Sequence, residues 1–266
     1  MKIIRFLNNE NQEKYGVEHE SGPVTLLEGD IYDGPTDSTV ATEVKKRLAP
    51  VAPVDILCIG LNYARHAKEG NVPVPEQPVL FMKTSSAVQN PGDPIVLPRT
   101  LRSDQVDFEC ELAVVIGRKC KNVKKADALD YVLGYTCGHD VSARDWQLKW
   151  GGGQWCRGKT FDTFCPLGPC LVTTDEIQNP NKLGIKTILN GETMQDWNTD
   201  DMIFDVPTLI EFLSGSTTLL PGTVILTGTP HGIGGARKPP VFLKAGDSVT
   251  IEVEGIGALT NPVIEE

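Results

Sequence analysis

The 266-residue chain is short of positive charge: 25 Lys and Arg stand against 35 Asp and Glu, a formal net charge of −10. General nucleic-acid binding needs clustered cations to neutralise phosphates, and a polybasic membrane surface needs the same, so neither class is expected. No apolar run approaches the ~20 residues that span a bilayer. The longest, such as Leu112 to Gly117, are strand-sized. The opening MKIIRFLNNENQEKYG lacks the apolar stretch of a signal peptide, and with Glu10 and Glu13 so early it is not an Arg/Ser-rich transit sequence. Seven cysteines are present, an odd number with no CxxC pair. A disulfide framework or a structural zinc site is therefore not expected, and a reducing compartment is the simpler reading. The expected location is cytoplasmic, with the mitochondrial matrix as the alternative if a presequence has been removed. What remains is ordinary for a globular protein, with 40% hydrophobic and 23% charged residues.

Short alternating runs dominate the chain. Lys2–Leu7, Tyr15–His19 and Val24–Leu27 read as strands, and Thr39–Leu48 as a short amphipathic helix. The stretch Ala49-Pro50-Val51-Ala52-Pro53 is stiff, because proline fixes φ and restricts its predecessor. It marks an expected border between a small N-terminal β domain, residues 1–50, and a larger body, residues 51–266. In the body, strands are expected at Asp55–Gly60, Val79–Lys83, Asp107–Ile116, Tyr131–His139, Pro169–Thr173, Ile185–Leu189, Thr223–Thr227 and Ser248–Val253. Helical spacing is found at Val141–Trp150 and Val206–Leu213. Many short strands and few helices predict a β-rich α+β fold, not a βαβ sheet.

Glu109 and Glu111 lie two apart in VDFECEL, so on a strand they share one face. Ala113 and Val115 continue that face, while Phe108, Cys110, Leu112 and Val114 form the other. Two neighbouring carboxylates on a partly buried face repel and need a proton or a cation. A solvated strand face is the competing reading. Asp140 ends a second apolar run, and Asp140, Arg144 and Gln147 fall at i, i+4 and i+7, one helical stripe. An N-cap role for Asp140 and a surface ion pair of Arg144 with Asp145 or Glu111 are the plain alternatives. Three carboxylates offer hard oxygen ligands suited to Mg²⁺ or Mn²⁺.

His66 and Glu69, in GLNYARHAKE, are i and i+3, one helical turn apart. A carboxylate hydrogen-bonded to an imidazole orients it and raises its basicity, the arrangement of a general base. Chance pairs of this kind are common on exposed helices. His19 and His139 read as surface and packing residues. The glycine-rich stretch from Thr227 to Gly235, which includes His231, precedes Arg237-Lys238-Pro239-Pro240 and opens no helix, so it is not a dinucleotide fingerprint. Its hydroxyls, Thr227 and Thr229, and its N–H groups would suit a carboxylate; a simple turn fits equally. Lys159, in RGKTFD, would polarise a carbonyl or sit on the surface. Lys83 has the same two readings, the surface one favoured.

Taken in order, GLNYARHAKE, DFECELAVVIG, GHDVSARDWQ, RGKTFD and ILTGTPHGIG resemble the fumarylacetoacetate hydrolase family over roughly residues 54–264. The resemblance implies a mixed β-sandwich roll as catalytic domain, usually a homodimer. It implies Mg²⁺ or Mn²⁺ on Glu109, Glu111 and Asp140, and the catalytic dyad His66–Glu69 on a mobile lid. Lys159, Arg144, Gln147 and a threonine of the Thr227–Thr229 turn are then near the substrate. Family substrates are small 2-oxo acids or 1,3-dicarbonyls that react through an enolate on the metal. The wording GNVPVP, VSARDWQ, GKTFDTFCPLGP and RKPPVFLKAGD is similar to a branch associated with oxaloacetate enol–keto tautomerisation. That reaction is the first expectation. Hydrolysis of a C–C bond in an acylpyruvate or fumarylpyruvate-type compound, or oxaloacetate decarboxylation, is the second. A non-catalytic binding protein on the same scaffold is the remote third.

Overall fold

A computed structural model describes residues 1–266. The strands in chain order are β1 (Lys2–Leu7), β2 (Glu13–Glu18), β3 (Thr25–Glu28), β4 (Thr36–Ala41), β5 (Lys46–Leu48) and β6 (Ile56–Gly60). Helix α1 (Ala64–Glu69) follows, then β7 (Val79–Lys83), β8 (Val88–Gln89), β9 (Ile95–Leu97), β10 (Val106–Asp107), β11 (Cys110–Ile116), β12 (Val132–His139) and β13 (Ser142–Ala143). Next come α2 (Arg144–Leu148), α3 (Cys156–Lys159), β14 (Cys165–Thr173), β15 (Gly184–Leu189), β16 (Glu192–Asn198), α4 (Val206–Ser214), β17 (Val224–Leu226), β18 (Ser248–Val253) and β19 (Gly257–Glu265).

A 12-stranded mixed sheet runs β4-β3-β2-β1-β14-β12-β11-β17-β6-β7, with β5 on β1 and β8 on β14. A second sheet of five strands runs β16-β15-β18-β19-β9. β11, buried at every position, sends alternate side chains into cores on opposite faces of the large sheet. Phe108, Cys110, Leu112 and Val114 enter the core shared with Ile185, Val249, Ile251 and Leu259 of the smaller sheet. Ala113 and Val115 enter a separate core with Ile3, Ile56, Phe81, Leu171 and Leu226. The result is the β-rich α+β fold the strand spacing predicts. The first five strands are hydrogen-bonded to the body through β1 and β14. No helix is long and apolar enough to cross a membrane.

Three local expectations are corrected. Thr39–Leu48 is not a helix. Its β-branched Val40, Thr42 and Val44 favour extended backbone, and the segment supplies the end of β4 and all of β5, the latter paired to β1. The stripe Asp140–Arg144–Gln147 does not exist as one helix. Asp140 follows β12, Ser142 and Ala143 pair with β10, and α2 begins only at Arg144 with Ala143 as its N-cap. The long strand at residues 107–116 is split, with Phe108 and Glu109 between β10 and β11.

Candidate active site

Strand directions gather the site at one end of the large sheet. β17 is parallel to β6 and antiparallel to β11, which is antiparallel to β12. The C-terminal ends of β6, β12 and β17 and the N-terminal end of β11 therefore coincide. They deliver the start of α1, Asp140, the Thr227–Gly235 turn and the Glu109–Glu111 pair to one place. A cavity of about 590 Å³ opens there, in the range of small-molecule sites. His66, Glu69, Glu109, Glu111, Asp140, Arg144, Gln147, Lys159 and Thr229 all line it. Thr227 does not. Its buried hydroxyl donates to the Leu112 carbonyl at 2.9 Å, joining β17 to β11. The Thr229 hydroxyl oxygen accepts from Gln195 Nε2 at 2.9 Å, which leaves its hydrogen for a ligand.

The carboxylates form the floor. One oxygen each from Glu109, Glu111 and Asp140 lies within 4.8 Å of the others, all three residues buried. Some of the cations that such a cluster demands are the protein's own. Arg144 donates to Glu109 at 2.6 Å, to Asp107 at 2.8 Å and to Gln147 Oε1 at 2.9 Å. Lys159 Nζ donates to Glu109 at 2.8 Å and Asp140 at 2.7 Å. Gly158 permits this reach, because a Cβ there would meet Gln147 N at 2.6 Å and Ala143 O at 2.7 Å. Arg144 thus pairs with Asp107 and Glu109, not with Asp145 or Glu111. Lys159 is buried, not a surface lysine.

Lys83 is the residue the sequence reading undervalued. Its side chain is fully buried, and Nζ donates to the carbonyls of Val141, Lys159 and Phe164 at 3.1, 2.6 and 2.8 Å. Nζ also lies 2.7 Å from Asp140 Oδ1. An ammonium has three hydrogens. With all three directed at carbonyls, Asp140 Oδ1 keeps electrostatic contact but accepts no hydrogen bond. Asp107, also missed, accepts from the Gly234 and Gly235 N–H groups at 2.7 and 2.9 Å. The only sequence signal for it was the extended alternation Asp107-x-Glu109-x-Glu111.

The electrostatics are uneven. Burial would raise Glu109, but Arg144 and Lys159 outweigh it and hold the carboxyl well below the usual range. Glu111 is pushed well above that range by burial and by the charges of Asp140 and Glu109, with one N–H donor, from Gly228 at 2.7 Å. Gly228 adopts φ +102°, a conformation that favours glycine. Burial lowers Lys159, yet Asp140 and Glu109 raise it on balance, so it stays ammonium. Four buried carboxylates (Asp107, Glu109, Glu111, Asp140) face three buried cations (Lys83, Arg144, Lys159), so one carboxylate, Glu111, has no cation of the protein's own and keeps its proton unless another cation is bound. An Asp140 Oδ1 that accepts no hydrogen bond, a Glu111 with no cation of the protein's own and an all-oxygen donor set fit a hard divalent cation.

The dyad stands over this floor. His66 Nδ1 lies 3.3 Å from Glu69 Oε2 on α1. Gly232 N–H reaches both Glu69 oxygens, at 2.9 and 3.1 Å. Burial would raise Glu69, but the hydrogen bonds from His66 and Gly232 hold it below its ordinary value. The glycine-rich turn does bind carboxylates through its N–H groups, and they are the protein's own: Glu69, Asp107 and Glu111. His139 is a packing residue, its imidazole pushed down to about 3 by burial and by Lys83. All seven cysteines are free thiols.

A β-sandwich with a buried carboxylate cluster below a histidine–glutamate dyad defines an enzyme scaffold for a small, oxygen-rich ligand. The family model described as fumarylacetoacetate (FAA) hydrolase C-terminal matches residues 55–264, and the chain belongs to the fumarylacetoacetate hydrolase family. It is 56% identical over 218 residues to a Xenopus laevis protein named oxaloacetate tautomerase fahd2, mitochondrial, covering 82% of this chain and 68% of that one. The human oxaloacetate tautomerase FAHD2A, mitochondrial, is 53% identical over 82% of this chain and 69% of its own. Among solved structures, a Mycobacterium smegmatis 5-carboxymethyl-2-hydroxymuconate delta-isomerase matches with TM-score 0.87 and 39% identity, all of both chains covered. Fumarylacetoacetate hydrolase from Exiguobacterium antarcticum matches with TM-score 0.85 and 35% identity, again over both whole chains. The chain is an enzyme of this family.

Proposed function

We propose that the protein catalyses the enol–keto tautomerisation of oxaloacetate, with Mg²⁺ or Mn²⁺ held by Glu109, Glu111 and Asp140. The observation that carries this reading is the cluster of three carboxylate oxygens within 4.8 Å, one Asp140 oxygen accepting no hydrogen bond, in a cavity that His66 also lines. The names of the relatives support it. The bound cation would supply Lewis acidity, lowering the cost of enolate charge on the 2-oxo acid. The chain's own residues do the rest. His66, held by Glu69, gives a proton to C3 of the enol while the enol O–H proton passes to solvent water, so the C2=C3 double bond becomes C2=O, and His66 then takes a proton back from solvent. Lys159 adds positive charge beside the developing carbonyl oxygen. Arg144, Gln147 and the Thr229 hydroxyl orient the carboxylates. Residues 1–50 would serve as a small companion domain to the catalytic body, and the working unit would be a homodimer. The relatives' mitochondrial names favour the matrix over the cytoplasm.

One observation favours C–C hydrolysis as the second reading. The cavity also carries Val72, Phe81, Leu148, Trp155 and Phe242, an apolar wall that a four-carbon dicarboxylate does not need. The deciding assay is a panel of 2-oxo acids and acylpyruvates, with and without Mg²⁺, followed by NMR. Faster enol loss than cleavage is expected.

A further inference from the structure

Helix α1 has six residues, too few to persist in water without docking. Its root is fixed: Asn62 Nδ2 donates to the carbonyls of Phe204 and Thr227 at 3.0 and 2.7 Å, and Phe204 N–H donates to Asn62 Oδ1 at 2.9 Å. Of the helix itself only Ala67 is buried. Yet Arg65, one residue before His66, lies flat on Trp197 of β16, its guanidinium carbon 3.7 Å from the ring centroid. Trp197 meets the His231 ring edge-on, centroids 5.0 Å apart at 79°. His231 adjoins Gly232, whose N–H binds Glu69. The Arg65 N–H is also held by Asp201 Oδ2 at 3.1 Å. One stack therefore ties both ends of the dyad helix to the second sheet.

We propose that Arg65, Trp197 and His231 form a latch that docks α1 and so positions His66 over the carboxylate floor. None of the three acts on substrate. Arg65 and Trp197 are positioning residues, acting through the helix they hold. The inference rests on His66 being the proton carrier. A cation–π contact is electrostatic and directional, so it fixes the helix rotation while leaving it free to lift. This explains why an exposed arginine sits against a tryptophan on a separate sheet.

The test is hydrogen exchange of the full chain, in Arg65→Met, Trp197→Ala and the conservative Trp197→Phe. The amides of Ala67, Gly70 and Val72 close the turns of α1, donating to the carbonyls of Tyr63, His66 and Ala67. They should exchange about two- to fivefold faster in Arg65→Met, the worth of an exposed cation–π pair. In Trp197→Ala, which also removes the His231 contact, the increase should reach roughly tenfold, between the exposed and desolvated values for such contacts, and Trp197→Phe should restore most of it. Amides of β11 and β12 should keep wild-type rates. In the same variants kcat should fall with KM nearly unchanged. Wild-type exchange of Ala67, Gly70 and Val72 in both disruptive variants, or an equal increase across the whole chain, would overturn the latch. His66→Ala separates the two claims: if it keeps full turnover, the role of His66 falls, while the exchange rates still decide the latch.

Discussion

The two halves of the site are built by opposite means. The floor is buried and cross-tied: Glu111, Asp140 and Lys159 are 1%, 0% and 2% exposed, and each is held by a contact from a strand, a packed short helix or the glycine-rich turn. The dyad rides on one and a half turns of helix, its His66 and Glu69 side chains 13% and 23% exposed. Preorganised charge is costly to build but needs no rearrangement during reaction. A proton carrier must approach and withdraw, and a lightly docked helix permits that. On the proposed mechanism the cross-tied half would carry the charge and the lightly docked half the proton.

The sharpest break of this contrast is removal of the cation. Exhaustive EDTA treatment should abolish turnover, and Mg²⁺ or Mn²⁺ should restore it. Full activity after treatment would refute the role of the carboxylates as ligands. Next, Glu109→Ala should cost stability as well as activity. It takes one carboxylate partner each from Arg144 and Lys159, which keep Asp107 and Asp140, so the loss should fall below the about 3–5 kcal/mol of a fully broken buried pair. Chemical denaturation would show this, and Glu109→Gln should be milder. His66→Ala should instead lower turnover by about 10²–10⁴, the range for general acid–base catalysis, with a thermal midpoint close to wild type. A large loss of stability there would erase the distinction between floor and lid.

The smallest effect concerns pH. Glu69 has a folded pKa below its ordinary value, so the stability it adds is present above about pH 4.5 and is lost as pH falls through the lowered value. The stability difference between wild type and Glu69→Gln should therefore be full at neutral pH and shrink in acid. A difference that grows on acidification would contradict the sign.

Much of this was legible in the sequence, and the misses have physical reasons. The alternation around Glu109 and Glu111 placed both faces of β11 correctly because a period of two is strict on a strand. Asp140 reached the floor although the helical stripe invoked for it was wrong; strand pairing brought it there. Lys83 was misread because a lone lysine at a strand end carries no local sign of burial. Its partners, Val141, Lys159 and Phe164, are backbone carbonyls 58 to 81 residues away. Thr227 and Thr229 are two apart and both plausible, and only the register of β17 on β11 shows that Thr227 is spent inside the sheet. Residues 39–48 mimic helical spacing because a half-exposed edge strand such as β4 has no clean period.

The central claim is that a proton moves at C3 over a preorganised anionic floor without a C–C bond breaking. It is tested most directly by following loss of enol absorbance in freshly dissolved oxaloacetate beside pyruvate release and acylpyruvate cleavage, in wild type and His66→Ala with Mg²⁺ present. The account predicts the largest specificity constant for enol loss, and its collapse in His66→Ala. A much larger specificity constant for acylpyruvate cleavage, or enol loss unchanged in His66→Ala, would contradict it.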